Sequence, residues 1–120
     1  DINSALGRVQ LGRLDSFERR RKEVVALYNK LLGLSNKGTH LYSILVEKRD
    51  EFFEYMKANG VGCSFHFLSL HQEKAFKKYN KGRLPVTEYV SRRVVTLPLD
   101  ATITNNEVKR VASMVKNFNQ

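Results

Sequence analysis

A single helical stripe opens this chain and limits what the rest of it can build. Apolar side chains at Ile2, Ala5, Leu6, Val9, Leu14, Phe17, Val24, Tyr28 and Leu31 recur mostly every three or four positions, with Arg21 filling one place in the row. That spacing marks one face of a 3.6-residue period. It predicts a helix from the first residues to about Leu32, with Gly33 as its terminator. At 1.5 Å per residue the helix would be ~45 Å long. A chain of 120 residues makes one domain with a modest core, too small to cover such a rod. The first three turns are therefore expected to rest on something this chain does not contain.

The remaining pattern alternates helices with short apolar runs. Leu41-Tyr42-Ser43-Ile44-Leu45-Val46 is β-rich and predicts a buried strand. Residues 49–59 predict a helix with Phe52, Phe53 and Met56 inward and Gly60 as its stop. Cys63-Ser64-Phe65-His66-Phe67 alternates as a second strand. A short helix over 73–79 and another started by Pro85 precede a third strand, Val94-Val95-Thr96-Leu97, stopped by Pro98. Thr104 and Glu107 match a capping box for a last helix with Val108, Val111, Ala112 and Val115 inward. The expected fold is a two-layer α/β domain: a small three-stranded sheet, largely antiparallel or mixed, packed with helices. In domain terms, a long helix over 1–32 precedes a small α/β domain over 33–120.

Composition excludes several classes. No apolar run approaches the ~20 residues that span a bilayer, and no signal-peptide pattern is present. One cysteine, Cys63, allows no internal disulfide and fits a reducing cytoplasm. The net charge of +9 favours acidic partners. Yet the densest run, Arg19-Arg20-Arg21-Lys22, spreads around a helix, and the aromatics Phe17, Tyr28, Phe52 and Phe53 fit core positions. A nucleic-acid groove interleaves basic residues with exposed aromatics, so a solvated basic face is the reading preferred to nucleic acid.

The chemistry-bearing side chains do not compose a site by themselves. Cys63, His66 and His71 form the one cluster of metal-type ligands. On a strand, positions 63 and 66 face opposite ways, and zinc needs three or four convergent ligands. A metal site is not expected, and neither is a Cys–His nucleophile pair. Gly60-Val61-Gly62 leads out of a helix and into a strand, the reverse of a phosphate-binding turn. Glu47, Asp50, Glu51 and Glu54 fit helix-start and surface charges.

Four segments in order resemble a known family. They are residues 1–21 with Arg13-Leu14-Asp15 and Arg19-Arg20-Arg21; Gly60-Val61-Gly62 leading through Phe65-His66-Phe67 to Leu70-His71; Leu97-Pro98-Leu99; and Thr104 to Val108. Together they resemble the C-terminal third of DegT-type (DegT/DnrJ/StrS) sugar aminotransferases, fold-type I enzymes that use pyridoxal phosphate (PLP). The sequence departs from the family pattern at Ser69, where proline is usual, at Asp100-Ala101, and in the short link from Leu32 to Leu41.

The resemblance implies the small domain of an enzyme that moves an amino group onto a nucleotide-linked keto-sugar. The family's Schiff-base lysine, its aspartate partner for the pyridine nitrogen, its stacking residue and its Asn-x-Arg segment belong upstream. No cofactor is therefore expected in this chain, although PLP serves the full-length family, and the chain alone is expected to be inactive. His66, Phe67 and His71 are the candidate substrate-cleft residues, with the two histidines facing the cleft and Phe67 as its wall. The implied partners are an upstream PLP-binding domain, or a second copy held through the first helix. Two other classes remain: a stand-alone module that binds nucleic acid, and a purely structural domain that dimerises by its first helix.

Overall fold

The computed structural model describes residues 1–118. The elements in order are α1 (Ile2–Leu32), β1 (Tyr42–Leu45), α2 (Arg49–Ala58), two 3-10 segments (Leu70–Gln72 and Lys74–Tyr79), α3 (Pro85–Ser91), β2 (Val94–Leu97) and α4 (Asn105–Phe118). Two compact units form. One joins Asp1–Tyr42 with the chain from Leu99 onward, and the other is Ser43–Pro98.

In the first unit α1 packs on α4. Val24, Val25 and Tyr28 of α1, with Val108, Val111, Ala112, Met114 and Val115 of α4, are buried. All but Val25 and Met114 are positions the periodicity marks. Asp1 caps α1 by accepting from the Ser4 amide at 3.1 Å. Gly33 ends the helix at φ 68°, where a glycine has no Cβ to clash. The link that follows is fastened back onto the helix. Asn29 donates to the Asn36 carbonyl at 2.8 Å and accepts its amide at 3.0 Å, and Tyr42 donates to Asn29 Oδ1 at 2.9 Å. Thr39 donates to Glu18 at 3.0 Å. The capping box forms as well: Thr104 N–H donates to Glu107 Oε2 at 2.7 Å, and Glu107 N–H to Thr104 Oγ1 at 3.3 Å. The start of α1 is bare. Ile2 is 86% exposed, and Leu6, Val9, Leu11 and Leu14 are exposed too.

In the second unit β1 and β2 make a two-stranded antiparallel sheet. All four residues of β2 are buried, as suits a strand covered on both faces. The expected strand over 63–67 reduces to one antiparallel bridge, Ser64 with Thr96, through amide–carbonyl bonds of 3.2 and 2.7 Å. A strand needs consecutive bonded residues; beyond Ser64 the chain is held by side chains instead. The helix expected over 73–79 is 3-10 rather than α. In α2, Phe52 and Met56 are fully buried. Phe53, expected inward with them, lies at the rim, only half-buried. Positions 52 and 56 are four apart and share one face, whereas 53 is rotated ~100° away.

Candidate functional site

The segment from Gly60 to Gln72 carries the residues singled out in the sequence. Gly60, at φ 72°, turns the chain out of α2. Val61 is then buried, and Cys63 lines an open cleft of about 340 Å³ with Phe53, Lys57 and Phe65. Burial pushes the Cys63 thiol up to about 11, so it stays protonated and unreactive at neutral pH.

The bridge at Ser64 fixes where His66 falls. Its Nδ1 lies 3.0 Å from Oγ1 of Thr96, a buried hydroxyl on β2. Phe67 presents its ring at 83° to the His66 ring, centroids 4.8 Å apart, and is 72% exposed. Ser69, at the position where the family usually has proline, is buried, with its hydroxyl 3.5 Å from the Thr87 carbonyl. His71 Nε2 lies 3.3 Å from Oε1 of Glu88.

Glu88 has the most enclosed carboxylate of the unit's ion pairs among the described residues, its side chain 6% exposed. The Leu84 amide donates to it at 3.0 Å, and Arg83 lies 3.6 Å away. The Leu84 amide, then the His71 hydrogen bond, then the nearby Arg83 charge hold this carboxyl below the usual glutamate range. His66 and His71 are thus each tied to a buried partner on another element, while Phe67 between them faces outward. Leu68, Leu70, Phe76, Tyr79, Leu84 and Val86 are exposed as well, so this stretch presents an apolar surface.

Two residues that the sequence reading passed over help to build the loop. Arg49 donates to the Ser91 carbonyl at 2.7 Å, and its guanidinium sits 5.1 Å from the Phe65 ring and 5.9 Å from that of Phe53. No local signal marks it. Glu88 was findable, because a glutamate three places after a helix-starting proline can reach back to the residue before it. Among the described residues, no group of three or more His, Cys, Asp or Glu side chains could hold a metal ion. Among the same residues, no helix is long and apolar enough to cross a membrane.

PLP chemistry needs a desolvated or charge-activated lysine. Every lysine among the described residues is exposed. These residues therefore do not by themselves fit the cofactor.

The chain resembles known proteins along nearly its whole length. It is 31% identical to the uncharacterized protein MJ1066 of Methanocaldococcus jannaschii, over 97% of this chain and 36% of that protein. That match runs over 137 aligned positions against 120 residues here, so the relative carries stretches this chain lacks. Among solved structures, S. venezuelae DesV in complex with a ketimine intermediate superposes with a TM-score of 0.87 at 25% identity, over 97% of this chain and 35% of that one. Helicobacter pylori PseC, an aminotransferase involved in pseudoaminic acid biosynthesis, superposes at 0.86 and 23% identity, over 98% and 37%. The chain therefore spans about a third of the length of these relatives. The sequence profile of the DegT/DnrJ/EryC1/StrS aminotransferases matches residues 1–116, and the chain belongs to that family.

Proposed function

We propose that this chain is the small C-terminal domain of a cytoplasmic DegT-type aminotransferase that moves an amino group from an amino acid to a keto-sugar on a nucleotide. The observation that supports the reading is the 66–71 loop, with His66 and His71 anchored and Phe67 facing outward, on a chain that matches its family over residues 1–116 and spans about a third of its relatives. PLP, when bound by the rest of such an enzyme, supplies the electron sink. This chain's own residues would bind and exclude water. His66, fixed by Thr96, and His71, fixed by Glu88, present a rigid rim to the substrate cleft, with Phe67 as its apolar wall. The long helix over 1–32 would tie the small domain over 33–120 to the cofactor domain, covering Ile2, Leu6 and Val9.

The test is amino transfer to a nucleotide keto-sugar by an enzyme that contains this chain. Phe67→Ala should raise KM at least ~tenfold, the order lost with one well-placed contact of ~1.4 kcal/mol, while leaving the urea midpoint unchanged. A variant with unchanged KM and kcat would remove Phe67 from the cleft. A second reading rests on the bare start of α1, whose Ile2, Leu6 and Val9 side chains would also suit a second copy of this chain.

A further inference from the structure

Asn59-Gly60 is the only asparagine–glycine pair in the chain. A glycine after an asparagine leaves its backbone nitrogen unshielded, because it has no Cβ to crowd the approach to the asparagine side chain. Nothing lies within 4 Å of the place a Cβ on Gly60 would take, and both residues are exposed at the end of α2. Gly60, at φ 72°, is also the turn from which the chain enters the 61–71 segment.

Three successive amides close the helix. Asn59 N–H donates to the Tyr55 and Met56 carbonyls at 3.2 and 3.1 Å, Gly60 N–H to the Lys57 carbonyl at 2.9 Å, and Val61 N–H to the Met56 carbonyl at 2.9 Å. The Asn59 carboxamide joins them, donating from Nδ2 to the Tyr55 carbonyl at 2.8 Å. It thus adds a donor at the end of the helix where carbonyls outnumber amides and the dipole is negative. A carboxylate in the same place would meet those carbonyls as a like charge.

We propose that Asn59 is a site of spontaneous deamidation, held back by this cap and set off when the last turn of α2 frays. The Gly60 nitrogen, once it gives its proton to a solvent base, attacks Cγ of Asn59. The new N–Cγ bond forms, the Cγ–Nδ2 bond breaks, and the leaving nitrogen takes up a proton and departs as ammonia. Water then opens the five-membered ring. Attack at Cγ gives aspartate; attack at the main-chain carbonyl gives isoaspartate, whose main chain runs through the side-chain methylene. No redox partner or cofactor takes part. In the folded chain both reacting groups are engaged, the Gly60 N–H on Lys57 and the carboxamide on Tyr55, so the reaction waits for the helix end to open. Such ends are among the lowest-energy openings of a fold. Neither product restores the cap. Aspartate replaces the Nδ2 donor by a repelled charge, and isoaspartate lengthens the main chain just before Val61, which is buried. The turn that sets Ser64 on β2 is thereby loosened.

The test incubates the 120-residue chain at mildly alkaline pH, folded and in urea, and maps its peptides by mass spectrometry over time. The expected result is that Asn59 converts before any other asparagine, to a mixture of aspartate and isoaspartate. Conversion should be at least ~tenfold slower in the folded chain, the factor that two hydrogen bonds held closed would give. Gly60→Ala should slow it in urea, where folding plays no part, and Asn59→Gln should leave position 59 unconverted. Asn59→Asp, which carries one of the two products, should lower the urea midpoint and shift the amide signals of Val61, Gly62 and Ser64 while those of α4 stay in place. Asn59 intact in the folded chain while other asparagines convert would overturn the site. Equal rates folded and in urea would overturn the part played by the cap. An Asn59→Asp chain with the parent's midpoint and amide signals would overturn the link to the loop.

Discussion

Replacing Phe52 by alanine separates the core of the second unit from its rim more sharply than any other single change. Phe52 and Met56 lie one helical turn apart on α2 and are both fully buried. Removing a fully buried phenyl ring costs ~3–5 kcal/mol, from the lost transfer energy and the cavity left behind. Phe53 is only half-buried. It forfeits roughly half of the ~1.5–3 kcal/mol of a full burial, and a guanidinium 5.9 Å from its ring adds ~0.5–1 kcal/mol. The expected cost of Phe53→Ala is therefore ~1–2.5 kcal/mol. With a urea slope of roughly 1–3 kcal/mol per molar, the midpoint should fall by about 2 M for Phe52→Ala and by under about 1 M for Phe53→Ala. Stabilities of this class are ~5–15 kcal/mol, so Phe52→Ala can leave little folded protein. Phe52→Leu, costing ~1–1.5 kcal/mol, keeps the site measurable. Urea titrations followed by circular dichroism supply the midpoints. A Phe53→Ala loss equal to that of Phe52→Ala, or a neutral Phe52→Leu, would refute this placement of the core.

The bare start of α1 predicts self-association of the isolated chain. Sedimentation should show dimers that Ile2→Asp with Leu6→Asp disperses, and a monomer at high concentration, unchanged by the pair, would remove the second-copy reading. Acid stability should follow Glu88. Its folded carboxyl lies below the ordinary 4.5, so its contribution is complete above that value and fades as pH falls through the lower folded value. The gap in urea midpoint between the parent and Glu88→Gln should be widest at neutral pH and narrow as pH falls through the lowered folded value; a gap that does not change with pH would mean the charged form contributes nothing there.

Much of the fold was legible because it depends on local chemistry. The stripe through Val24 and Tyr28, the Gly33 stop and the Thr104–Glu107 box each act within one or two turns, and each appears where its pattern lies. The strand at 63–67 failed for the opposite reason. Alternation in Cys63-Ser64-Phe65-His66-Phe67 states which side chains could share a face, and it does not state how many backbone groups find a partner. After Ser64 the His66 ring bonds to the Thr96 hydroxyl, and the loop departs from the sheet. Phe53 lies ~100° around α2 from Phe52, so the same helix buries one phenyl ring and leaves the next half-exposed.

The site was harder to read because its fixing groups are distant in sequence. His66 and His71 were visible as residue types, but their partners, Thr96 and Glu88, lie 30 and 17 positions away. Those partners change what the histidines can do. A histidine held to a buried hydroxyl or carboxylate has a fixed ring orientation, so its free edge can recognise a ligand without first losing rotamer freedom. The same bonds make it costly to remove. His66→Ala strands a buried hydroxyl, at ~1–3 kcal/mol, well above the cost of a loosely held surface histidine. Stability loss at His66 therefore cannot by itself distinguish a structural from a substrate-facing role. Phe67 can, because its ring is 72% exposed and set edge-on against that of His66. An effect of Phe67→Ala on substrate affinity without an effect on stability has no explanation inside this unit and requires a ligand at the loop.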